Sequence, residues 1–269
     1  MQIIEEGQTP ALEIKRLTIK ASGTDKVIVD NINLTINSGE LLAIIGESGS
    51  GKSTIALACS GLVRTGLDVS RGEVLLAGKD LLTMGKKELA STRGSQVCYV
   101  AQSAASAFNP ALRLNRQVTE ASIIRKSCSY QDALTKAISL YKQLSLPNPK
   151  SIGSRYPHQV SGGQLQRFMI AMGLMEEPGL MVFDEPTSAL DPELVGEVLG
   201  VMRDLAKSGM TMVVVTHEIA FAQEVGDSLA FMDEGRIVQR GAPRDVIAQP
   251  ANDRVARFFA RIEREEDDK

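Results

Sequence analysis

The sequence contains no tryptophan, two histidines and three cysteines, and aromatic residues make up 4% of its 269 positions. Cys59, Cys98 and Cys128 are single and widely spaced, without a CxxC pair. This supports neither a zinc site nor a disulfide framework, and a reducing compartment is expected. No apolar run approaches the roughly 20 residues needed to cross a bilayer. The start, MQIIEEGQTP, has neither the basic end nor the apolar stretch of a signal peptide, so a cytosolic location is expected. An excess of positive charge is also missing: 30 Lys and Arg stand against 33 Asp and Glu, for a formal net charge of -3. Without a basic footprint for a phosphate backbone, no nucleic-acid partner is expected.

What the chain does have is 43% hydrophobic and 23% charged residues, enough for one large core. Leu12 to Ile19 and Val27 to Ile36 alternate apolar with polar residues, as two half-buried antiparallel strands would. Leu41 to Ile45 is continuously apolar, as in a strand covered on both faces, and leads into GESGSGKST and a helix-prone stretch ending near Leu62. Glu73 to Ala77 and Val97 to Val100 read as further short strands, whereas Leu114 to Leu146 has helical spacing up to the Pro147-Asn148-Pro149 break. A helix over Ser161 to Glu176 precedes three buried strands at Leu180 to Phe183, Met212 to Val215 and Ser228 to Met232, with helices between them. That alternation predicts an α/β fold with a parallel sheet. The charged end, ARIEREEDDK, reads as a fraying, solvated tail with no assigned function.

Gly46, Gly51, Lys52 and Ser53 match G-x-x-x-x-G-K-[ST], and Glu47, Ser48, Gly49 and Ser50 between them are mostly small. A phosphate must be approached by several backbone N–H groups at a helix N-terminus, which bulky side chains would prevent. Lys52 supplies a point charge to the β/γ oxygens, Ser53 a hydroxyl ligand for Mg²⁺, and Thr54 reaches the α-phosphate. The loop alone fits kinases, GTPases, helicases and transport ATPases. The strand Leu180 to Phe183 ends in Asp184 and Glu185, which the open end of a parallel sheet would place beside that loop. Asp184 suits a Mg²⁺-holding role and Glu185 the orientation of an attacking water.

Val160-Ser161-Gly162-Gly163-Gln164, followed by Leu165-Gln166-Arg167, resembles the LSGGQ segment of the ABC ATPases. Gln102 resembles that family's Q-loop glutamine, Ser188-Ala189-Leu190-Asp191 its D-loop and His217 its switch histidine; the motifs stand in the family's order. The resemblance implies a P-loop NTPase of ABC type: a mixed-sheet core, an antiparallel β subdomain and an inserted helical subdomain. On this chain it predicts one domain, with its core over about 8–101 and 179–249, helical part over about 102–178, and tail over 250–269. It also implies ATP and Mg²⁺ as cofactors and a second ABC ATPase subunit, identical or a sister chain, packed head to tail. Ser161, Gly162, Gly163 and Gln164 of one subunit would then face the γ-phosphate bound by the other, with Asp191 at the same interface. Gln102 would contact Mg²⁺ or the attacking water, and His217 the γ-phosphate. His158 reads as a structural residue, and Met169, Met172 and Met175 as core filler.

The expected partners are membrane permease subunits and, through them, a solute-binding protein, which puts the chain peripherally on the cytoplasmic face of the cell (inner) membrane. The stretch QSAASAFNPALRLNRQVTE and YPHQVSGGQ are similar to the dipeptide, oligopeptide and nickel importer branch. THEIAFAQEVGDSLAFMDEGRIVQRGAP looks more like the polar amino-acid importers. Peptide or nickel import is the favoured expectation; an amino-acid importer ATPase, an exporter ATPase and a soluble ABC ATPase acting as an assembly factor are the alternatives. A GTPase switch is disfavoured, since no Asn-Lys-x-Asp motif occurs. Members of the family usually stack an early aromatic on adenine, yet no aromatic precedes Tyr99, and the span Lys20 to Lys26 offers only Ala21 and lysine stems. A weakened preference for ATP over GTP is expected.

Overall fold

A computed structural model describes residues 9–125 and 127–267; the segment ahead of Thr9 and the last two residues of the acidic end lie outside the described residues. Two sheets share the work. In the first, β1 (Leu12–Ala21), β2 (Val27–Ile36), β4 (Leu67–Leu76) and the two-residue β5 (Lys79–Asp80) run antiparallel in the order β2-β1-β4-β5. Alternation in the sequence places Leu12, Ile14, Leu17 and Ile19 of β1 in the core. The strand is bulged between Ile14 and Leu17, where Arg16 takes a φ of 49°. β4 begins six residues before the apolar signal at Glu73, because Asp68 and Ser70 sit on its exposed face and conceal the pattern.

The second sheet has the order β10-β9-β3-β8-β7-β6. Its strands β3 (Leu41–Gly46), β6 (Val97–Val100), β7 (Leu180–Asp184), β8 (Met212–Val215) and β9 (Ser228–Asp233) are parallel; β10 (Arg236–Gly241) closes one edge antiparallel to β9. β3, β7 and β8 are buried along their whole length, which explains their unbroken apolar runs. Leu42, Ile44, Val182, Val213 and Val215 pack on one face with Ile55 of α1 (Lys52–Cys59) and the first sheet. Ala43, Ile45, Phe183 and Val214 face the helices on the other side. α2 (Lys86–Thr92) bridges the two sheets in sequence.

Between β6 and β7 the chain is helical: α3 (Ala104–Ala107), α4 (Leu114–Ile124), α5 (Tyr130–Gln143), α6 (Pro149–Ile152), a single 3-10 turn at Pro157–Gln159, and α7 (Gly162–Leu174). The stretch Leu114 to Leu146, with helical spacing throughout, holds two helices. Ser129 starts the second, its hydroxyl accepting from the N–H of Asp132 at 3.2 Å, and this cap ends the continuity that periodicity suggests. Met169 and Met175 are buried and Met172 packs against the same core, as expected of filler. α8 (Pro192–Lys207) and α9 (Ile219–Val225) connect β7 to β8 and β8 to β9, and α10 (Pro243–Ala248) follows β10.

The charged end is helical over most of its length rather than frayed: α11 (Asp253–Asp267) runs into it, with Val255, Phe258 and Phe259 buried just ahead of it and Ile262 buried at its start. Phe258 and Phe259 meet Phe231 of β9 at ring-centroid distances of 5.0 and 5.8 Å. Spacing of three and four residues puts these apolar positions on one face, a signal that the high charge around them masks. Among the described residues no helix is long and apolar enough to cross a membrane.

Candidate active site

The loop between β3 and α1 is shaped by what lies behind it. Gly46 pairs with Met232 of β9, and a Cβ at that position would stand 2.1 Å from the Met232 carbonyl oxygen. No residue but glycine fits there. Gly49 (φ 81°) and Gly51 (φ 98°) adopt left-handed conformations that turn the backbone toward the start of α1. Lys52 is buried and folds back on its own loop, its Nζ donating to the carbonyls of Gly46 at 2.8 Å and Glu47 at 2.9 Å. Burial lowers its pKa, against the opposing pull of Glu185 and Asp184. The buried Ser50 hydroxyl has no hydrogen-bond partner.

Two acids enter from the end of β7. Asp184 is buried, and both of its oxygens are engaged: Ser53 Oγ donates to Oδ1 at 2.9 Å and Tyr99 OH to Oδ2 at 2.7 Å. Burial, then the hydrogen bond to Asp184, raises the Tyr99 pKa and keeps the phenol protonated. Glu185 turns out of the strand with a φ of 47°, a strained conformation fixed by its N–H on the Val215 carbonyl and by Ser188, whose Oγ donates to the Glu185 carbonyl at 2.9 Å. The turn carries its carboxylate among three groups. His217 Nε2 lies 3.2 Å from Oε1, Lys52 Nζ 3.9 Å from the same oxygen, and Gln102 Nε2 donates to Oε2 at 3.5 Å. The His217 bond is the main cause of a lowered Glu185 pKa; burial opposes it, and the charges of His217 and Lys52 add to the lowering.

The cluster therefore joins Gly46, Ser48, Gly49, Ser50, Gly51, Lys52, Ser53 and Thr54 of one loop with Gln102, Asp184, Glu185 and His217 from three strand ends. Ser161, Gly162, Gly163 and Gln164 form a separate unit at the start of α7. Ser161 Oγ accepts from the Gln164 N–H, and Gln164 Oε1 accepts from the Ser161 N–H, both at 3.2 Å, which is a capping box. A Cβ on Gly162 or Gly163 would come within 3.2 Å of Leu190 or Leu194, so this unit packs against the segment that carries the exposed Asp191. Among the described residues, no hydrogen bond connects it to the phosphate-loop cluster. Tyr99 is the member of the cluster that motif spacing does not reveal; its one signal is a hydroxyl at the exit of an otherwise apolar strand.

The orphaned Ser50 hydroxyl, the side-chain-free wall at Gly46 and a lysine whose hydrogen bonds go to two carbonyls of its own loop fit a phosphate chain, whose oxygens would take over the lysine's contacts. A hydroxyl and a carboxylate oxygen 2.9 Å apart, Ser53 Oγ and Asp184 Oδ1, are donors of the type Mg²⁺ prefers. Residues 29–188 match the family model for ABC transporter. The chain belongs to this family. It is the ATP-binding, ATP-hydrolysing subunit of an ABC transporter, with the α/β cassette fold. The glutamine transport ATP-binding protein GlnQ of Geobacillus stearothermophilus is 40% identical over 238 residues, 87% of this chain and 93% of that protein. The oligopeptide transport ATP-binding protein OppD of Bacillus subtilis (strain 168) is 35% identical over 246 residues, 90% of this chain and 69% of that protein. The dimeric, post-hydrolysis structure of the ATP-binding cassette MJ0796 bound to ADP and Pi matches with a TM-score of 0.75 at 28% identity, covering 87% of this chain and 99% of that one.

Proposed function

We propose that this ABC ATPase powers solute import through separate membrane subunits, and that its nucleotide is sandwiched between two ATPase subunits. The observation that carries this is the split of the site. The phosphate-loop cluster and the capped start of α7 are two anion-ready surfaces on one chain that do not meet. A second subunit, packed head to tail, would bring Ser161, Gly162, Gly163 and Gln164 to the γ-phosphate, with Asp191 beside them. The dimeric MJ0796 cassette bound to ADP and Pi supports the pairing of two such subunits.

Within one half-site, the roles follow from placement. The loop N–H groups and Lys52 hold the β- and γ-phosphates, and Thr54 lies toward the α-phosphate. Ser53 and Asp184 would hold Mg²⁺, with Gln102 as a further ligand, and the ion would neutralise charge on the phosphate oxygens. Glu185 is the general base, oriented by Gln102 and His217, and its lowered pKa keeps it ionised at neutral pH. His217, exposed and at the end of β8, is placed to donate to the γ-phosphate once Glu185 has turned to the attacking water.

Among solutes, peptides or nickel remain the favoured class on the stretch after Gln102; the matched relatives include proteins named for oligopeptide and for glutamine transport. The permease partners put the chain on the cytoplasmic face of the membrane. Mg²⁺-dependent ATP hydrolysis by the purified chain and by Glu185→Gln, with gel filtration in ATP, tests the reading. An active wild type beside an inactive, ATP-dimerised variant supports it; undiminished turnover in Glu185→Gln overturns the base. Co-purification of polytopic membrane proteins supports the transport assignment, whereas cytosolic partners alone would point to the assembly-factor alternative.

A further inference from the structure

β6 is the outer strand of the six-stranded sheet, with β7 as its one parallel neighbour. Tyr99 stands opposite Val182 in the register, so it shares a face with Asp184 two residues further on. That face is covered by α1, whose Ser53 lies on the opposite side of the same carboxylate. Tyr99 OH reaches Oδ2 at 2.7 Å and Ser53 Oγ reaches Oδ1 at 2.9 Å, so the carboxylate is gripped at both oxygens. Asp184 is only 3% exposed, which leaves little room for water to replace either donor. Just past the same strand, Gln102 Nε2 reaches Glu185 at 3.5 Å. A single edge strand thus touches both neighbouring acids, one through a phenol and one through an amide.

We propose that Tyr99 is a positioning residue for the divalent-cation site: its hydroxyl fixes the plane of the Asp184 carboxylate so that Oδ1 faces Ser53 before any nucleotide arrives. The proposal rests on the reading of Ser53 and Asp184 as the pair that holds the ion. A carboxylate gripped by one donor turns about its terminal bond, whereas one gripped by two does not. Groups that orient ligands in this way are typically worth about 10- to 100-fold in metal affinity. The position also ties the ion's carboxylate to the strand that carries Gln102, so a shift of that strand moves both acids' partners together.

The test uses the full chain carrying Glu185→Gln to stop turnover, and reads ATP affinity by equilibrium dialysis, first in EDTA and then in excess Mn²⁺. The ratio of the two is the gain that the metal provides. Tyr99→Phe is expected to reduce this gain on the order of 10-fold while leaving the affinity in EDTA unchanged. Asp184→Asn serves as the control for the underlying reading. If Asp184→Asn reduces the gain and Tyr99→Phe does not, the positioning role is overturned and the cation pair stands. If neither moves the gain, the cation pair itself is wrong and the proposal falls with it. A parallel loss of ATP affinity in EDTA and in Mn²⁺ would show that Tyr99 supports the loop in general and would also overturn the proposal.

Discussion

Nε2 of His217 meets Oε1 of Glu185 at 3.2 Å, across the gap between the ends of β8 and β7. This bond is the leading cause of the depressed Glu185 pKa. A carboxylate whose native pKa lies below its unfolded value adds stability that is complete above the ordinary glutamate range, and that stability is lost as pH falls through the native value. Urea unfolding at pH 7 and near pH 4 should therefore show a smaller acid-induced loss for Glu185→Gln than for the wild type. Equal losses in the two proteins would show that the bond is not made in solution.

Lys52 holds two carbonyls of its own loop, and these are the contacts a phosphate chain replaces. Lys52→Ala removes two or more charge-assisted bonds to the nucleotide, each worth about 1.5–3 kcal/mol. ATP binding measured by calorimetry should weaken by about 100-fold or more, and hydrolysis should be lost.

At Gly46 the fold leaves no room for a methyl group, because the Met232 carbonyl stands 2.1 Å from where it would be. Gly46→Ala must push β3 from β9, at a cost of about 1–3 kcal/mol or more. Chemical denaturation checks the loss, and a wild-type midpoint would contradict the packing.

The Lys20–Lys26 turn, where the resemblance to ABC ATPases leads one to expect a ring against adenine, carries no aromatic residue. Lys20–Lys26 closes on itself through the Ala21 N–H and the Lys26 carbonyl at 2.9 Å, and its side chains are small or charged. Losing a base–aromatic stack removes about 1–3 kcal/mol that would favour one base over another. GTP should compete with ATP in the hydrolysis assay at comparable concentration. A strong preference for ATP would mean that another group reads the base.

Phe258 is buried among Phe231, Phe259 and the core. Phe258→Ala should destabilise the chain by about 3–5 kcal/mol. The nucleotide affinity of the molecules that remain folded should not change, since among the described residues α11 contributes none to the site cluster.

The sequence discloses most of the site because phosphate chemistry tolerates few alternatives. A glycine loop, a lysine, a hydroxyl and two acids at a strand end are demanded in that order, and Gly46 to Ser53, Asp184 and Glu185 supply them. The buried strands β3, β7 and β8 are as legible, since both faces need apolar residues. Elsewhere two patterns compete. Ser129 caps a helix inside a stretch that is periodic throughout, so the spacing shows helix there without showing where α4 ends and α5 begins. At ARIEREEDDK the charge hides the helix, because the apolar residues that anchor α11, Val255, Phe258 and Phe259, stand just ahead of it and only Ile262 falls within it. Tyr99 was hidden for another reason: its role depends on the strand beside it, and register is not written in one strand alone.

β3 launches the phosphate loop, yet both of its neighbours, β8 and β9, come from beyond the helical stretch in the chain. While the protein is being synthesised, the loop that recognises the nucleotide is made early and its supports late. The strand must wait, unpaired, until β8 is made after β6 and β7, and it gains its second neighbour only with β9. Met232, which backs Gly46, belongs to one of those late strands. A nascent chain can therefore carry the complete loop sequence and still have no pocket, so nucleotide selects for the assembled sheet rather than for the motif.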